Sequence, residues 1–504
     1  MLHWPLYLTF AGLLLVLLLP GRAAGAWARL VALAVSVGGL LLGLAGAQQV
    51  HPLNGMLTLV NVPWIEWLGI RFHLAADGIT VVMVLLTGVA AVAGVLFSWN
   101  IEHRAREYFA FYLALIGGVY GVFLSVDLFL LFVFYELAIV PKYFLIALWG
   151  STRKEYGAMK LALYSFVGSA MVLIALLATY VMSGSQAPLT AAAPRSFDLL
   201  TLSRLEFPAS FQLWVFPLMY IGFAILAGLW PFHSWAPTGH VAAPTAASML
   251  LAGVIMKLGA YGALRVAMAL FPQGLVHWQM LLAWLAVIGI VYGALAALAQ
   301  NDFKFVIGYS SVSHMGFVML GLATLTSIGL HGAVLQMFSH GVIAGLLFGV
   351  VGRMVYDRAH TRELDTLEGL QLARALPFAA VTFVIAGAAS MGLPGFSGFV
   401  AELQVLLGAW QAFPRLMLLA GAGVIIGVAY TWRALHKAFF SDRPVPAALR
   451  GEPLPPITWP EKMGALLLIL CTLAVGLYPR LLLDWIIPAF NSPLFDGLRK
   501  VVTP

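Results

Sequence analysis

The sequence holds one cysteine, Cys471, and very little charge: Asp, Glu, Lys and Arg make up 9% of its 504 residues. A single cysteine excludes an internal disulfide framework and any cysteine-built metal site. Soluble domains carry about 25% charged residues, so the charge content excludes an ordinary water-soluble fold. The sequence shows no nucleophile–base pair, phosphate loop, flavin motif or iron–sulfur motif, which argues against redox chemistry on this chain. The net charge of +7 is not a nucleic-acid signal, because the basic residues sit in loops between apolar runs. What the chain does have is apolar sequence, 62% of all residues, with a mean hydropathy of +0.96. The expectation is an all-α polytopic membrane protein, with the lipid bilayer as its solvent and no nucleic-acid partner.

About 20 apolar residues cross a bilayer, and that rule gives about 14 spans. They fall near 4–20, 27–47, 79–98, 108–126, 127–149, 157–183, 212–230, 245–270, 277–299, 303–323, 325–352, 375–410, 415–440 and 461–478. The run from Leu6 to Pro20 lacks a basic leader and is followed at once by another span, so it reads as a helix of the protein and not as a signal peptide. Beyond the last span, RLLLDWIIPAF is amphipathic and suits the interface.

Two spans contain helix-breaking sequence. The seventh ends in Trp230-Pro231, ahead of a polar segment with His233, His240, Pro237 and Pro244. The twelfth, too long for one straight helix, contains MGLPGFSG, with a break expected at Gly392 to Gly398. Interrupted backbone at membrane depth is tolerated only where protein or a water-filled cavity satisfies it. Breaks five spans apart suggest a repeat of spans 4–8 in spans 9–13, inverted because the number is odd. The chain then divides into residues 1–107, 108–270 (first repeat), 277–440 (second repeat) and 441–504. Lysine and arginine concentrate in loops 21–26, 99–107, 150–156, 353–374 and 441–462. The positive-inside rule makes that side cytoplasmic and puts both termini on the other.

Ionisable residues inside the apolar runs are the candidate machinery. Glu136 lies mid-span in LLFVFYELAIVPKYFL with Lys142 six residues on. Lys257 lies mid-span in LLAGVIMKLGAYG, His314 in SSVSHMGF, His340 in QMFSHGVIAG and Glu402 after the second break. Gln336 shares a helical face with His340. Each has a plainer reading: a packed histidine, a structural ion pair, or, for Lys142, a side chain snorkelling to the interface. One charge at mid-bilayer costs roughly 2.5–3.5 kcal/mol even on a lenient scale, so several together favour function. Carboxylates, amines and imidazoles brought toward neutral pKa by burial and by one another can pass protons.

The stretch HSWAPTGHVAAPTAASMLLAGVIMKLGAYGALR, with FYELAIVPKYFLIALWG, NDFKFVIGYSSVSHMGFVML, LQMFSHGVIAGLLF and MGLPGFSGFVAELQVLLGAW, resembles the antiporter-like membrane subunits of respiratory complex I and of Mrp cation/proton antiporters. The resemblance covers spans 3–13. A glutamate at Glu402 is similar to the M-type subunits of NADH–quinone oxidoreductase; L- and N-type subunits and Mrp homologues usually have lysine there. The resemblance implies a proton-translocating subunit with Glu136 as a modulating charge, Lys257 and His340 as the central relay, and Glu402 as the exit. His314 and Lys142 are further candidates from their placement. No cofactor is implied on this chain. NADH, FMN, iron–sulfur clusters and quinone would sit in partner subunits, and the partners would include L- and N-like homologues in a bacterial-type inner membrane. The sequence departs from the family at Leu226, where the seventh-span lysine falls, and at Thr238, in place of aspartate. An Mrp-type Na⁺(K⁺)/H⁺ antiporter, a membrane-bound hydrogenase subunit and a non-pumping structural subunit stay open as alternatives.

Overall fold

The structure is a computed structural model describing residues 1–20, 24–50, 55–185, 195–441 and 454–501. Among the described residues, 12 helices are long and apolar enough to cross a membrane. With the short Trp4–Leu18 and the two-part twelfth span, Pro377–Ser390 plus Ser397–Ala412, they match the expected spans. The amphipathic helix Arg480–Ala489 follows the fourteenth span.

The most apolar stretches of the eighth span (Thr245–Met268) and the eleventh (Ser327–Ala359) are fully buried inside the protein, and that of the third (Gly78–Phe97) is nearly so. In the second and sixth spans fewer than half of the residues of that stretch are buried. Glycine sets the closest approaches. A Cβ on Gly259 of the eighth span would meet the Phe223 carbonyl oxygen of the seventh at 2.4 Å, and one on Gly341 of the eleventh would meet the Gly253 carbonyl oxygen at 2.6 Å. Enclosed helices therefore touch backbone to backbone, as small residues permit in membranes.

A buried ion pair locks the third span to the eighth. Arg265 donates to both oxygens of Asp77, to Oδ2 at 2.6 Å, and is at most 2% exposed. Asp77 also caps the third span by accepting from the Thr80 N–H at 3.0 Å. The guanidinium is satisfied further by Thr80 Oγ1 at 3.0 Å and Tyr261 Oη at 3.2 Å. A buried charge is tolerable only when paired and hydrogen-bonded in this way.

The loop 48–78 holds an element that apolar run length did not reveal. Leu57–Ile65 and Ile70–Ala76 form an antiparallel hairpin turned at Gly69, φ 70°. Both segments are rich in β-branched and aromatic residues, which favour strands. His73 of the hairpin lies 2.5 Å (Nδ1) from Asp198 Oδ2 in the loop before the seventh span.

The fifth and tenth spans start in the same way. Asp127 Oδ1 accepts from the N–H groups of Phe129 and Leu130, and Asp302 Oδ1 from those of Lys304 and Phe305. Each start is also clasped by main chain from the segment before a broken span. Leu128 N–H donates to Phe197 O and Leu199 N–H to Val126 O; in parallel, Phe303 N–H donates to Arg362 O and Leu364 N–H to Asn301 O. A short helix follows each clasp, Leu199–Leu202 and Leu364–Leu367.

Asp127→Ala should cost about 1 kcal/mol of stability, the usual value of an N-cap, measured as a lower denaturation midpoint of the purified complex; Asp127→Asn should cost less. Burial pushes the Asp127 carboxyl up to about 6, against about 3.9 in an unfolded chain. Across that window the folded state holds a proton that the unfolded state releases, so this group's contribution falls as pH rises and levels off above it. Asp127→Asn should abolish that part of the pH dependence.

Candidate functional site: a buried lysine–histidine–glutamate file

Lys257 stands in the short α-helical stretch Met256–Gly262, between two π-helical turns, Leu251–Ile255 and Ala263–Met268. Such turns often mark functional sites because they displace backbone carbonyls from the helical ladder. Lys257 Nζ, fully buried, donates to the Ala252 carbonyl in the first π turn and lies 2.8 Å from His340 Nδ1.

His340 is buried on the enclosed eleventh span, and its ring stacks on that of His314, with centroids 5.5 Å apart and planes at 29°. His314 Nδ1 lies 2.9 Å from Glu402 Oε1 and His314 Nε2 3.1 Å from Ser390 Oγ. Gln336 Nε2 donates to the same Glu402 oxygen at 3.3 Å. Lys257, His340, His314 and Glu402 thus form one buried row drawn from the eighth, eleventh, tenth and twelfth spans. The resemblance implies a relay from Lys257 and His340 to the Glu402 exit, and the structure adds His314 between His340 and Glu402. Gln336 serves Glu402 and not His340.

The second break shapes the end of this row. Pro377–Ser390 stops, Gly392 (φ 72°) and Gly395 (φ 99°) take left-handed conformations, and the helix resumes at Ser397. A Cβ on Gly392 would come within 3.3 Å of Glu402 Oε2. Ser397 Oγ pairs with Ser339 at 2.8 Å and with Thr472 at 2.9 Å, fixing the second half-helix to the eleventh and fourteenth spans.

The seventh span is likewise interrupted, between Ala227 and Trp235, with Gly228 at φ 81°. Trp235 Nε1 donates to the Ile225 carbonyl at 2.8 Å. Lys142 is fully buried; its Nζ donates to Ser165 Oγ at 3.2 Å and lies 5.9 Å from the Trp235 ring centre. It therefore does not snorkel to the interface. Its helix neighbour Glu136 is half-buried, with no hydrogen-bond partner for Oε1 among the described residues, and the two are not hydrogen-bonded to each other. Leu226 is buried in the last turn before the break.

Sequence reasoning assigned no role to three polar features. His240 is fully buried and stacked on Phe348 at 4.8 Å and, among the described residues, has no hydrogen-bond partner at either ring nitrogen. Lys304 Nζ donates to the Ala243 carbonyl at 3.1 Å. Arg265 lies inside the stretch read for Lys257, and its place near the span's end hid its pairing with Asp77. Asp302, one residue before the tenth span, was the available sign that Lys304 starts a helix.

A family model described as "NADH:quinone oxidoreductase/Mrp antiporter, TM" matches residues 125–427. NADH-quinone oxidoreductase subunit M of Rhodobacter capsulatus is 36% identical over 476 residues, 92% of this chain and 89% of that one. The chain belongs to the antiporter-like, M-type membrane subunits of complex I. Subunit M of Escherichia coli (strain K12) is 36% identical over 431 residues, 84% of this chain and 82% of that one. A chain in the structure titled "Respiratory complex I from Thermus thermophilus with bound NADH" superposes with a TM-score of 0.86 at 29% identity, covering 98% of this chain and 100% of that one.

Gly392→Ala removes no ionisable group, yet it forces a side chain into a left-handed conformation and against Glu402. It should lower proton pumping by the assembled complex while the subunit still inserts; pumping at the native level would show that the break does not set the position of Glu402.

Proposed function

We infer that this chain carries protons across the membrane arm of an NADH:quinone oxidoreductase along the row Lys257, His340, His314 and Glu402, driven by electron transfer in other subunits. The observation that carries this reading is the row itself: four ionisable groups from four spans, all buried, with hydrogen-bond contact at both ends and stacked imidazoles between. An imidazole takes a proton at one nitrogen and releases it from the other, so the two histidines can link an amine to a carboxylate that do not touch. Gln336 steadies Glu402 without titrating.

Glu136 and Lys142 are proposed as the modulating charges of the first half. In this reading Lys142 supplies, from the fifth span, the cation that related subunits place at the position of Leu226. Its burial beside Trp235, at the edge of the seventh-span break, supports the exchange. Residues 108–270 and 277–440 are proposed as inverted repeats, supported by the matching clasps at Asp127 and Asp302. Both termini are assigned to the non-cytoplasmic side of an inner membrane by the distribution of basic loops.

Neighbouring L- and N-like subunits are proposed as partners. Phe232 in one break and Leu393 in the other are exposed at the protein surface, where irregular backbone at membrane depth needs protein or a water-filled cavity against it. NADH, FMN, iron–sulfur clusters and quinone are assigned to other subunits.

Lys257→Met and Glu402→Gln should each lower the number of protons moved per electron pair in reconstituted complex. Full stoichiometry in either variant, with normal assembly, would take that residue off the path. Lys142→Met should reduce pumping as far as Glu136→Ala does; an unchanged stoichiometry would make Lys142 a bystander.

A further inference from the structure

His340 and His314 sit ring to ring, but the hydrogen bonds around them do not join. Lys257 approaches His340 at Nδ1. When the lysine is the donor, Nδ1 accepts, and the single proton of a neutral His340 lies on Nε2. That Nε2 is buried and, among the described residues, has no hydrogen-bond partner. An unsatisfied buried donor is destabilising because it has lost its hydrogen bonds to water, which favours a second arrangement in which it is satisfied.

His314 is the ring it faces, and both nitrogens of His314 are engaged. An ionised Glu402 can only accept, so His314 donates to it from Nδ1. His314 Nε2 is then the accepting nitrogen, and the Ser390 hydroxyl occupies it at 3.1 Å. The acceptor on His314 that would complete the row from His340 to Glu402 is held by a side chain outside the row. Ser390 is the last residue of the half-helix before the second break, 6% exposed. A serine at a helix end can turn its hydroxyl to a carbonyl four residues back, and the hydroxyl of Tyr430, also buried, faces it from the thirteenth span. It can therefore let go of the imidazole without being left unpaired.

We propose that Ser390 is a positioning residue that latches His314 toward Glu402, so that the row conducts only when Ser390 releases His314 Nε2 to His340. This rests on the proton-relay reading. With the latch closed, as here, Lys257 and His340 form one segment and His314 and Glu402 another. With it open, Lys257 passes a proton to His340 Nδ1, His340 passes its Nε2 proton to His314 Nε2, and His314 passes its Nδ1 proton to Glu402. Each imidazole gains and loses one proton; Lys257 ends as a neutral amine and Glu402 as a neutral acid. A row permanently open would short-circuit the pump, and a latch at the helix break would tie conduction to movement of that break.

The test is passive proton leak through purified, reconstituted complex in liposomes with an imposed pH gradient and no NADH. Ser390→Ala should raise the leak several-fold over the native complex, and Ser390→Thr, which keeps the hydroxyl, should bring it back. Ser390→Ala combined with Lys257→Met should leak no more than Lys257→Met alone, because the leak runs through the row. A native leak in Ser390→Ala, or an elevated one that survives in the double variant, would overturn the latch; the second result would assign the leak to loosened packing. Full pumping by Lys257→Met alone would instead overturn the relay reading beneath it.

Discussion

Hydrocarbon offers no hydrogen bonds, and this protein is arranged around that constraint. Every backbone break and every buried charge must find its partner inside the protein or in a neighbouring subunit. Asp77 and Arg265 meet the demand by pairing bidentately beneath the end of the third span. Trp235 meets it at the seventh-span break by donating to the Ile225 carbonyl, which also accepts from the Gly228 N–H. Ser397 meets it by bridging three spans where the twelfth resumes. These fixed solutions make a rigid frame. Lys257, His340, His314 and Glu402 stand apart, since their hydrogen bonds are exchangeable between protonation states. Polar groups with more than one satisfactory arrangement are the ones that can move a proton.

The enclosure of the eighth and eleventh spans follows from the same constraint. A lysine facing lipid would snorkel or pull water into the bilayer, and a lysine inside a ring of helices can do neither. Gly253, Gly259 and Gly341 let neighbouring backbones close around it. The π turn before Lys257 then aims the Ala252 carbonyl at the ammonium, so the charge has an acceptor besides His340. Packing, backbone irregularity and chemistry are here one arrangement.

Much of this was legible in the sequence. Apolar runs of fixed length located the spans, and Trp230-Pro231 and the MGLPG segment located the breaks, because bilayer thickness and proline chemistry act locally. Lys257 and Glu402 stood out as charges within apolar sequence. The order of the row was not legible: whether His340 or His314 touches Glu402 depends on how the tenth, eleventh and twelfth spans rotate about their axes, and residue spacing within one helix carries no information on that. The Lys142–Ser165 contact was hidden for the same reason. The hairpin at Leu57–Ala76 was missed because a scan for long apolar runs does not see alternation with a period of two.

The proposed relay depends on the two imidazoles carrying the proton between lysine and glutamate. His340→Leu keeps the volume of the enclosed eleventh span and leaves Lys257, His314 and Glu402 in place, while removing the group that touches both Lys257 and the His314 ring. Protons moved per electron pair, measured in reconstituted complex with confirmed assembly, should fall to the value of a complex in which this subunit does not pump. Native stoichiometry in that variant would contradict the account.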